Sequence, residues 1–358
     1  RRRHIALDGL NASAVSLATA ALFDEKCCNN ILVIADDADK AGYLYFDLTQ
    51  LIGSDRVAFF PALYKHIHKS GATIAENGIL RTDSLNKISD GKPCIIVSYP
   101  DAISEKVVAA DRFASQEYAM STLLDALRNS GFDEVDFVYE VGQYSQRGSI
   151  VDVFSYSNEL PYRIDFFGDT VESIRTFDIE RQLSIEEVDR LAVVAATDSE
   201  EQGKVSLLEF VAPDTLIVAN DIDYCIKRID QIYSQALVKA NEQRQTSDLY
   251  SSLIDGKGFR QQLEAFSTVE VLRNYYKADT LGFATLLQPN FNKNFDLISK
   301  NIKQYLADGY RIYIASDSKK QIDRITSIFD DRGDDISFEA VDKTLHEGFV
   351  DNDLKVCF

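Results

Sequence analysis

The spacing from Gly9 to Ser16 is that of a phosphate-binding loop, the G-x-x-x-x-G-K-[ST] pattern that cradles the phosphates of a nucleotide. The stretch reads G-L-N-A-S-A-V-S and lies between an apolar strand and the start of a helix. Ala14 replaces the second glycine and Val15 the phosphate-binding lysine. A valine supplies no charge for the phosphates, and added Cβ atoms crowd a loop whose amides must approach them. The sequence therefore predicts an ordinary strand–helix turn or a degenerate loop, and in either case no productive ATP binding.

A second place for nucleotide chemistry is the end of the apolar strand TLIVAN, residues 215–220. In nucleotide-driven motors such a strand ends in carboxylates that serve the magnesium ion and the reaction. This strand instead ends in Asn220 and Asp221, which we interpret as a degenerate Walker B motif or a plain strand end. The sequence predicts no catalytic residue and no cofactor.

The densest β signal of the chain runs from Tyr139 to Phe177. Alternating polarity predicts a small antiparallel β unit, with Gly168-Asp169 as a two-residue hairpin turn. Its expected strands are at residues 137–140, 149–154, 162–167 and 170–177.

The strand at residues 162–167 alternates cleanly, so its side chains divide between two faces. The apolar ones form the expected core face: Tyr162, Ile164 and Phe166. The other face carries Arg163, Asp165 and Phe167. Two charged residues and a large aromatic ring on one strand face are typical of a docking surface.

This polar face admits two interpretations. A tight turn would place Asp165 opposite Glu172, which is unfavourable unless a cation lies near. Arg163 on the diagonal, and Arg147 before the preceding strand, supply that charge. In one interpretation Arg163 only offsets the carboxylates and Phe167 packs on a neighbouring domain. In the other, the arginines and Phe167 form a protein-binding hot spot, because such residues dominate interface energies.

The segments on either side of the β-rich stretch alternate apolar strands with helices. Uniformly apolar strands such as ILVIA (31–35) and CIIVS (94–98) predict a parallel sheet that is covered on both faces. We expect a polar surface excursion at residues 242–262. A separate small α/β unit is expected from about Leu281.

The composition excludes several classes of function. A net charge of −19 repels a phosphate backbone unless basic residues cluster, so nucleic-acid binding is disfavoured. The five cysteines form no CxxC pair and no cluster with histidine, which predicts no disulfide framework and no metal site and fits a reducing cytoplasm. No apolar run reaches the length of a membrane span. Because the chain opens and closes on strands, we expect it to be a piece of a longer polypeptide.

The runs GQYSQRGSIVDVF and ELPYRIDFFGDTVESIRTFD, within residues 142–178, are similar to the UvrA-binding domain that UvrB shares with the transcription-repair coupling factor (Mfd) family. The first strand with its lysine-free loop resembles the N-terminal UvrB-like module of the coupling factors, whereas UvrB keeps a working loop. Residues 59–85 are too few to form the DNA-clamping hairpin of UvrB. The chain is thus identified as a member of the coupling-factor family.

The resemblance implies a domain order. A degenerate helicase-like domain would comprise residues 1–117 and 194–280, split by a UvrA-binding insertion at 118–193. Residues 281–358 would form a small α/β domain. By motif position, the residues that contact UvrA would be Arg147, Arg163 and Phe167.

The resemblance also implies the partners. The insertion would recruit UvrA in transcription-coupled nucleotide excision repair. In the full-length protein the C-terminal domain would mask the same face until stalled RNA polymerase is engaged. This chain by itself is expected to be no enzyme and to bind neither specific DNA nor a membrane. The alternatives are a UvrB-like nucleotide-dependent helicase, which Val15 argues against, and a DNA-binding module, which the low isoelectric point argues against.

Overall fold

The computed structural model describes residues 4–25, 28–63, 71–108, 120–129, 132–155, 160–168, 170–188, 204–243, 251–272, 279–292 and 294–358. The strands in these ranges are β1 (His4–Asp8), β2 (Asn30–Ile34), β3 (Val57–Phe59), β4 (Cys94–Ser98), β5 (Val107–Val108), β6 (Asp133–Glu134), β7 (Gln143–Arg147), β8 (Ile150–Val153), β9 (Tyr162–Phe167), β10 (Thr170–Phe177), β11 (Ser184–Glu187), β12 (Lys204–Val205), β13 (Leu216–Ala219), β14 (Ser267–Leu272), β15 (Thr280–Gly282), β16 (Thr285–Leu287), β17 (Arg311–Ala315), β18 (Glu339–Val341), β19 (Phe349–Asp351) and β20 (Val356–Cys357). The α-helices are α1 (Ala14–Asp24), α2 (Ala38–Ile52), α3 (Gly71–Ser89), α4 (Pro100–Ile103), α5 (Met120–Asn129), α6 (Leu207–Phe210), α7 (Ile222–Gln243), α8 (Gly256–Leu263), α9 (Phe295–Ala307) and α10 (Lys319–Asp331).

The largest sheet has the strand order β15-β1-β14-β13-β2-β4-β3, and all of its strands run parallel. Every residue of β2 and β4 is buried, so both faces of the sheet are covered there. This explains the uniformly apolar sequences of these strands. β13 and β14 follow the β-rich stretch in the chain, yet they lie between β1 and β2. The predicted parallel sheet is confirmed, and its strands come from the segments before and after the β-rich stretch.

The six-stranded sheet is an excursion from this first unit. Its order is β11-β10-β9-β8-β7-β6, and its pairs are antiparallel except for β6 with β7. β5 and β12, which precede and follow it, pair with each other, so the chain leaves and returns at one place. α5 covers one face, where Leu127 shares a core with Val151 and Ile164. A parallel-sheet α/β fold split by a β-rich insertion is therefore confirmed.

Residues 137–140 are not a strand, contrary to the prediction. They lie in the loop between β6 and β7. Val138 is fully buried there, in a small cluster with Phe154 and Phe177. The β-like composition of residues 137–140 reflects this packing and not strand pairing, since β propensity measures fit to a half-buried surface.

The hairpin between β9 and β10 has the expected two-residue turn but an unexpected register. Phe167 is the last paired residue before the turn, and Gly168 adopts φ +64°, a conformation that favours glycine. A β-bulge then displaces Glu172 from the pairing, so that Asp165 lies opposite Ser173. The predicted Asp165–Glu172 pairing is wrong, because the bulge shifts the register by one residue.

Residues 242–262 are more than a polar surface excursion, so that prediction is also wrong in part. Their second half contains most of α8, which packs on α7 and buries Phe259. Asp255 caps this helix by accepting a hydrogen bond from the amide of Gly258. Two glycines weaken the local helix propensity, but the cap and the burial of apolar side chains outweigh that cost.

The third sheet, with the order β16-β19-β20-β17-β18, mixes parallel and antiparallel pairs. Its core joins the sheet to α9 and α10 through Ile302, Ile312 and Phe329. This is the small α/β unit that the sequence predicts after the helicase-like fold. Among the helices in the described ranges, none combines the length and the apolar character needed to cross a bilayer.

A buried ion pair makes the first unit sensitive to substitution. Nη1 of Arg81 lies 2.9 Å from Oε2 of Glu105, and the two side chains are only 5% and 7% exposed. We expect Glu105→Gln to lower the free energy of unfolding by about 3–5 kcal/mol, because it leaves a buried guanidinium without its counter-charge. Urea denaturation followed by far-UV circular dichroism measures this loss.

The exposed ion pair between Arg260 and Asp223 is the matched control, with a distance of 3.0 Å and side chains 57% and 65% exposed. Asp223→Asn is expected to cost less than about 1 kcal/mol, because solvent screens surface pairs. A loss of that small size for Glu105→Gln would contradict the prediction.

Candidate functional site

The candidate site lies on the face of the six-stranded sheet opposite α5, which we call the open face. Residues that lie directly opposite one another across four strand pairs form one polar row on this face. From β7 to β11 the row is Ser145, Asp152, Arg163, Arg175 and Glu187. A neighbouring row, two residues along the strands, is Arg147, Ile150, Asp165 and Ser173. The strand register thus brings Arg147 and Arg163 to adjoining positions.

A buried carboxylate joins these two arginines. Asp152 is fully buried, and its oxygens accept hydrogen bonds from Nε (2.7 Å) and Nη2 (2.9 Å) of Arg163. Nη2 of Arg147 donates to the same carboxylate, at Oδ2. The hydrogen bonds to Asp152 raise the pKa of the Arg163 guanidinium above its ordinary value. One negative charge therefore serves two permanently charged guanidinium groups.

The two arginines differ in what they present to solvent. Arg163 is 15% exposed, its Nη1 donates to the carbonyl of Gln182 (3.0 Å), and its guanidinium lies 4.6 Å from the ring centre of Phe177. Arg147 is 37% exposed and lies over the ring of Phe137, at 4.8 Å. Arg163 is thus largely engaged within the chain, and Arg147 is the more accessible of the two.

Phe167 is the most exposed of the large apolar side chains in the described ranges, with 81% of its surface accessible. It ends β9 on the same face as Arg163, as the alternation predicts. Four residues at about 3.3 Å each separate the two by roughly 13 Å along the strand. At this exposure the ring does not pack on a neighbouring unit of the described chain. The interpretation of Phe167 as a contact between domains therefore has no support here.

Sequence reasoning missed Asp152, the residue on which both arginines depend. A signal was present in β8, where Val151 and Val153 belong to the core and Asp152 must therefore point to the other face. A buried carboxylate needs a donor or cation, and Arg163 lies directly opposite. Recognising that partner required the register between β8 and β9.

The loop from Gly9 to Ser16, predicted to be an ordinary turn or a degenerate phosphate-binding loop, is closed on one side by the segment after β15. Gly9 has φ +84°, and a Cβ at this position would lie 1.9 Å from the carbonyl oxygen of Phe283. Oγ1 of Thr285 donates to the carbonyl of Gly9 (2.7 Å) and accepts from the amide of Asn11 (2.8 Å). The glycine that survives from the motif thus permits close packing of the chain on itself.

The amides of Ser13, Ala14 and Val15 also have hydrogen-bond partners. The amide of Ser13 donates to the carbonyl of Glu347 (3.4 Å), and the amide of Glu347 donates to Oγ of Ser13 (3.1 Å). The amides of Ala14 and Val15 donate to carbonyls of the preceding turn, at 3.1 and 3.3 Å. Together with Asn11, these are amides that a working loop would offer to phosphate. In this structure these amides donate hydrogen bonds to other groups of the chain.

Ser16, the last residue of the motif, is fully buried and donates to Oδ2 of Asp47 (3.0 Å). Oδ1 of Asp47 accepts from the amide of His346 (2.6 Å), whose ring stacks on Tyr43 at 3.5 Å between centroids. Ser16 therefore helps to join the first unit to the third.

Asn220 and Asp221 also have structural partners. Nδ2 of Asn220 lies 3.4 Å from Oδ2 of Asp36, and Oδ1 of Asp221 accepts from the amide of Tyr224 (2.7 Å) in the first turn of α7. Asp221 thus caps a helix. In the described part of the chain, no group of three or more histidine, cysteine, aspartate or glutamate side chains is arranged to hold a metal ion.

Residues 113–198 match the family model described as UvrB interaction domain. The match contains β6 to β11, and with them all residues of the open face.

Curated relatives extend the similarity beyond this domain. The transcription-repair-coupling factor of Escherichia coli (strain K12) is 32% identical over 117 residues, which are 32% of this chain and 10% of that protein. The one from Bacillus subtilis (strain 168) is 29% identical over 188 residues, 50% of this chain and 16% of the relative. The UvrABC system protein B of Streptococcus suis (strain 98HAH33) is 26% identical over 189 residues, 46% of this chain and 28% of the relative.

The chain thus covers less than a third of the length of each of these relatives. The resemblance that the motifs predict is confirmed: residues 113–198 are similar to UvrB interaction domains, and the chain is related to the transcription-repair-coupling factors and to UvrB.

Proposed function

We propose that this chain is a protein-interaction module of nucleotide excision repair and recruits UvrA through the open face. The observation that carries the proposal is the exposed Phe167 on the same sheet face as the Asp152-linked arginines, within the stretch that matches the UvrB interaction domain. In a full-length coupling factor, this recruitment would follow the displacement of a stalled RNA polymerase.

The open face has the physical properties of an interface hot spot. Phe167 offers a large apolar ring to a partner, and Arg147 offers a guanidinium that Asp152 and Phe137 already hold in place. Side chains that are ordered before binding lose less conformational entropy on docking. We infer that Phe167 and Arg147 contact UvrA directly, and that Arg163 acts mainly by fixing Asp152 between the two arginines.

We further propose that this chain neither binds nor hydrolyses ATP. Val15 supplies no charge for phosphate, and the amides of Asn11 and Ser13 are hydrogen-bonded to Thr285 and Glu347. This argues against the alternative of a UvrB-like nucleotide-dependent enzyme. A DNA-binding role has less support still, because the chain is acidic and the arginines of the open face are interleaved with carboxylates.

Two further partners belong to the full-length protein in this proposal. Its C-terminal domain would cover the open face, and engagement of RNA polymerase would free it for UvrA. Because one surface holds only one partner at a time, the internal and external partners would compete. We also propose a cytoplasmic location, in keeping with the free thiols of Cys28, Cys94, Cys225 and Cys357.

We expect Phe167→Ala to weaken binding to purified UvrA by about 2 kcal/mol or more, roughly 30-fold in Kd. The ring is 81% exposed, so its removal should leave the fold and melting temperature unchanged. Isothermal titration calorimetry with the whole chain measures the affinity. Leu354→Ala, which removes another exposed apolar side chain (69%) in the third unit, should bind as the wild type does. Equal affinity of the two variants would contradict the assignment of Phe167.

We expect Asp152→Ala to weaken UvrA binding and to destabilise the inserted sheet by about 3–5 kcal/mol. The reason is that Arg163 would keep its buried charge without a counter-charge, and Arg147 would lose its anchor. Thermal unfolding and calorimetry measure the two effects. Asp133→Ala removes an exposed carboxylate from β6 of the same sheet and should change neither. A stable Asp152→Ala variant with full affinity would show that the carboxylate does not organise the site.

We expect the double variant Ala14→Gly, Val15→Lys to remain without saturable ATP binding, with any Kd weaker than about 1 mM. Restoring the motif residues leaves the amide of Asn11 bonded to Thr285 and Ser16 bonded to Asp47. Titration with a fluorescent ATP analogue in the presence of magnesium tests this. Tight binding by the wild-type chain would instead support the helicase-like alternative.

A further inference from the structure

Arg175 is a third arginine on the open face, and the register gives it an unusual neighbour. On β10 it lies directly opposite Arg163 of β9, and on its other side opposite Glu187 of the edge strand β11. Like charges that face each other across a strand pair are unfavourable unless each has an acceptor. Arg163 has such an acceptor in Asp152.

The hydrogen-bonding capacity of Arg175 is little used within the chain. Its Nη2 lies 3.6 Å from Oδ2 of Asp165, which is beyond hydrogen-bond distance. Among the residues that the structure describes, its buried Nε has no hydrogen-bond acceptor. The side chain is 36% exposed, whereas Arg163 is 15% exposed and donates through all three of its nitrogens. Asp165 has another partner, because its Oδ1 accepts a hydrogen bond from Oγ of Ser149 (3.2 Å).

We propose that Arg175 is a further docking residue and that its guanidinium binds a carboxylate of the partner. This inference rests on the proposed function and adds the chemistry of a second contact on the same face as Phe167: an acidic side chain of UvrA bound at Arg175. Arginine suits this role, because its planar fork binds a carboxylate through two parallel hydrogen bonds. Since Nε has no acceptor in the described part of the chain, turning the guanidinium toward the partner breaks no hydrogen bond there at that atom.

An acidic contact would be made locally at Arg175, because the rows of the open face hold as many carboxylates as arginines. Asp152 serves both Arg147 and Arg163. The carboxylates next to Arg175 are Asp165, 3.6 Å from its Nη2, and Glu187, opposite it on the edge strand. The chain as a whole carries a net charge of −19 and repels acidic surfaces. A local group of arginines therefore gives an acidic partner one favourable orientation. Docking would also exclude water from the row, and a carboxylate–guanidinium pair is stronger at the lower local dielectric.

The test is the affinity of the whole chain for purified UvrA, measured by calorimetry at about 0.1 M and about 0.5 M salt. Arg175→Ala and Arg175→Gln are each expected to weaken binding about tenfold or more at the lower salt. Their difference from the wild type should shrink at the higher salt, because salt screens the charge pair. Arg128→Ala is the matched control, since this half-exposed arginine lies on α5, on the covered side of the same sheet. It should bind within about twofold of the wild type.

The proposed function and this inference fail in different ways. If the wild-type chain does not bind UvrA, both are wrong. If Phe167→Ala loses binding while both Arg175 variants bind within about twofold of the wild type, the function stands and the role of Arg175 is overturned. If Arg175→Ala lowers the melting temperature, Arg175→Gln decides, because it keeps the length and polarity of the side chain. A loss of affinity that is the same at both salt concentrations would assign Arg175 a structural role and would also overturn the inference.

Discussion

The candidate site depends on the ion pairs that the buried carboxylate of Asp152 makes with Arg147 and Arg163. A buried charge is costly unless it is paired and hydrogen-bonded, and the Asp152 carboxylate accepts hydrogen bonds from arginines of the strands on either side of it, β7 and β9. Arg163 needs Asp152 in turn, since its own charge is mostly buried and requires a counter-charge. The three side chains therefore hold one another in place, and Arg147 reaches solvent in an ordered conformation.

The scaffold explains how such a face is displayed without disturbing the rest of the fold. The parallel sheet places β13 and β14, which follow the insertion, between β1 and β2, which precede it. The β5–β12 pair closes the junction. The inserted sheet has its own core under α5, so the residues of the open face do not pack in the core of the parallel sheet. Substitutions on this face can then alter binding while the helicase-like unit keeps its packing.

The loop from Gly9 to Ser16 has the position of a phosphate-binding loop in the fold, but a fold by itself does not determine the chemistry of a site. Positions that would approach phosphate now contact the chain itself. Gly9 packs against Phe283, Asn11 binds Thr285, and Ser16 is linked through Asp47 to the third unit. The loop is part of the connection between two units, which gives its residues a structural role.

The sequence by itself determined the fold class, the inserted β unit and the loss of the lysine, because periodicity and motif spacing are local properties. It also placed Arg163 and Phe167 on one strand face. The tertiary structure alone decided what these residues contact. The bulge at Glu172, the burial of Asp152 between two arginines and the sparse bonding of Arg175 all depend on strand register. Register is set by pairing between distant segments, and a one-residue shift changes every neighbour, so no local pattern could reveal these contacts.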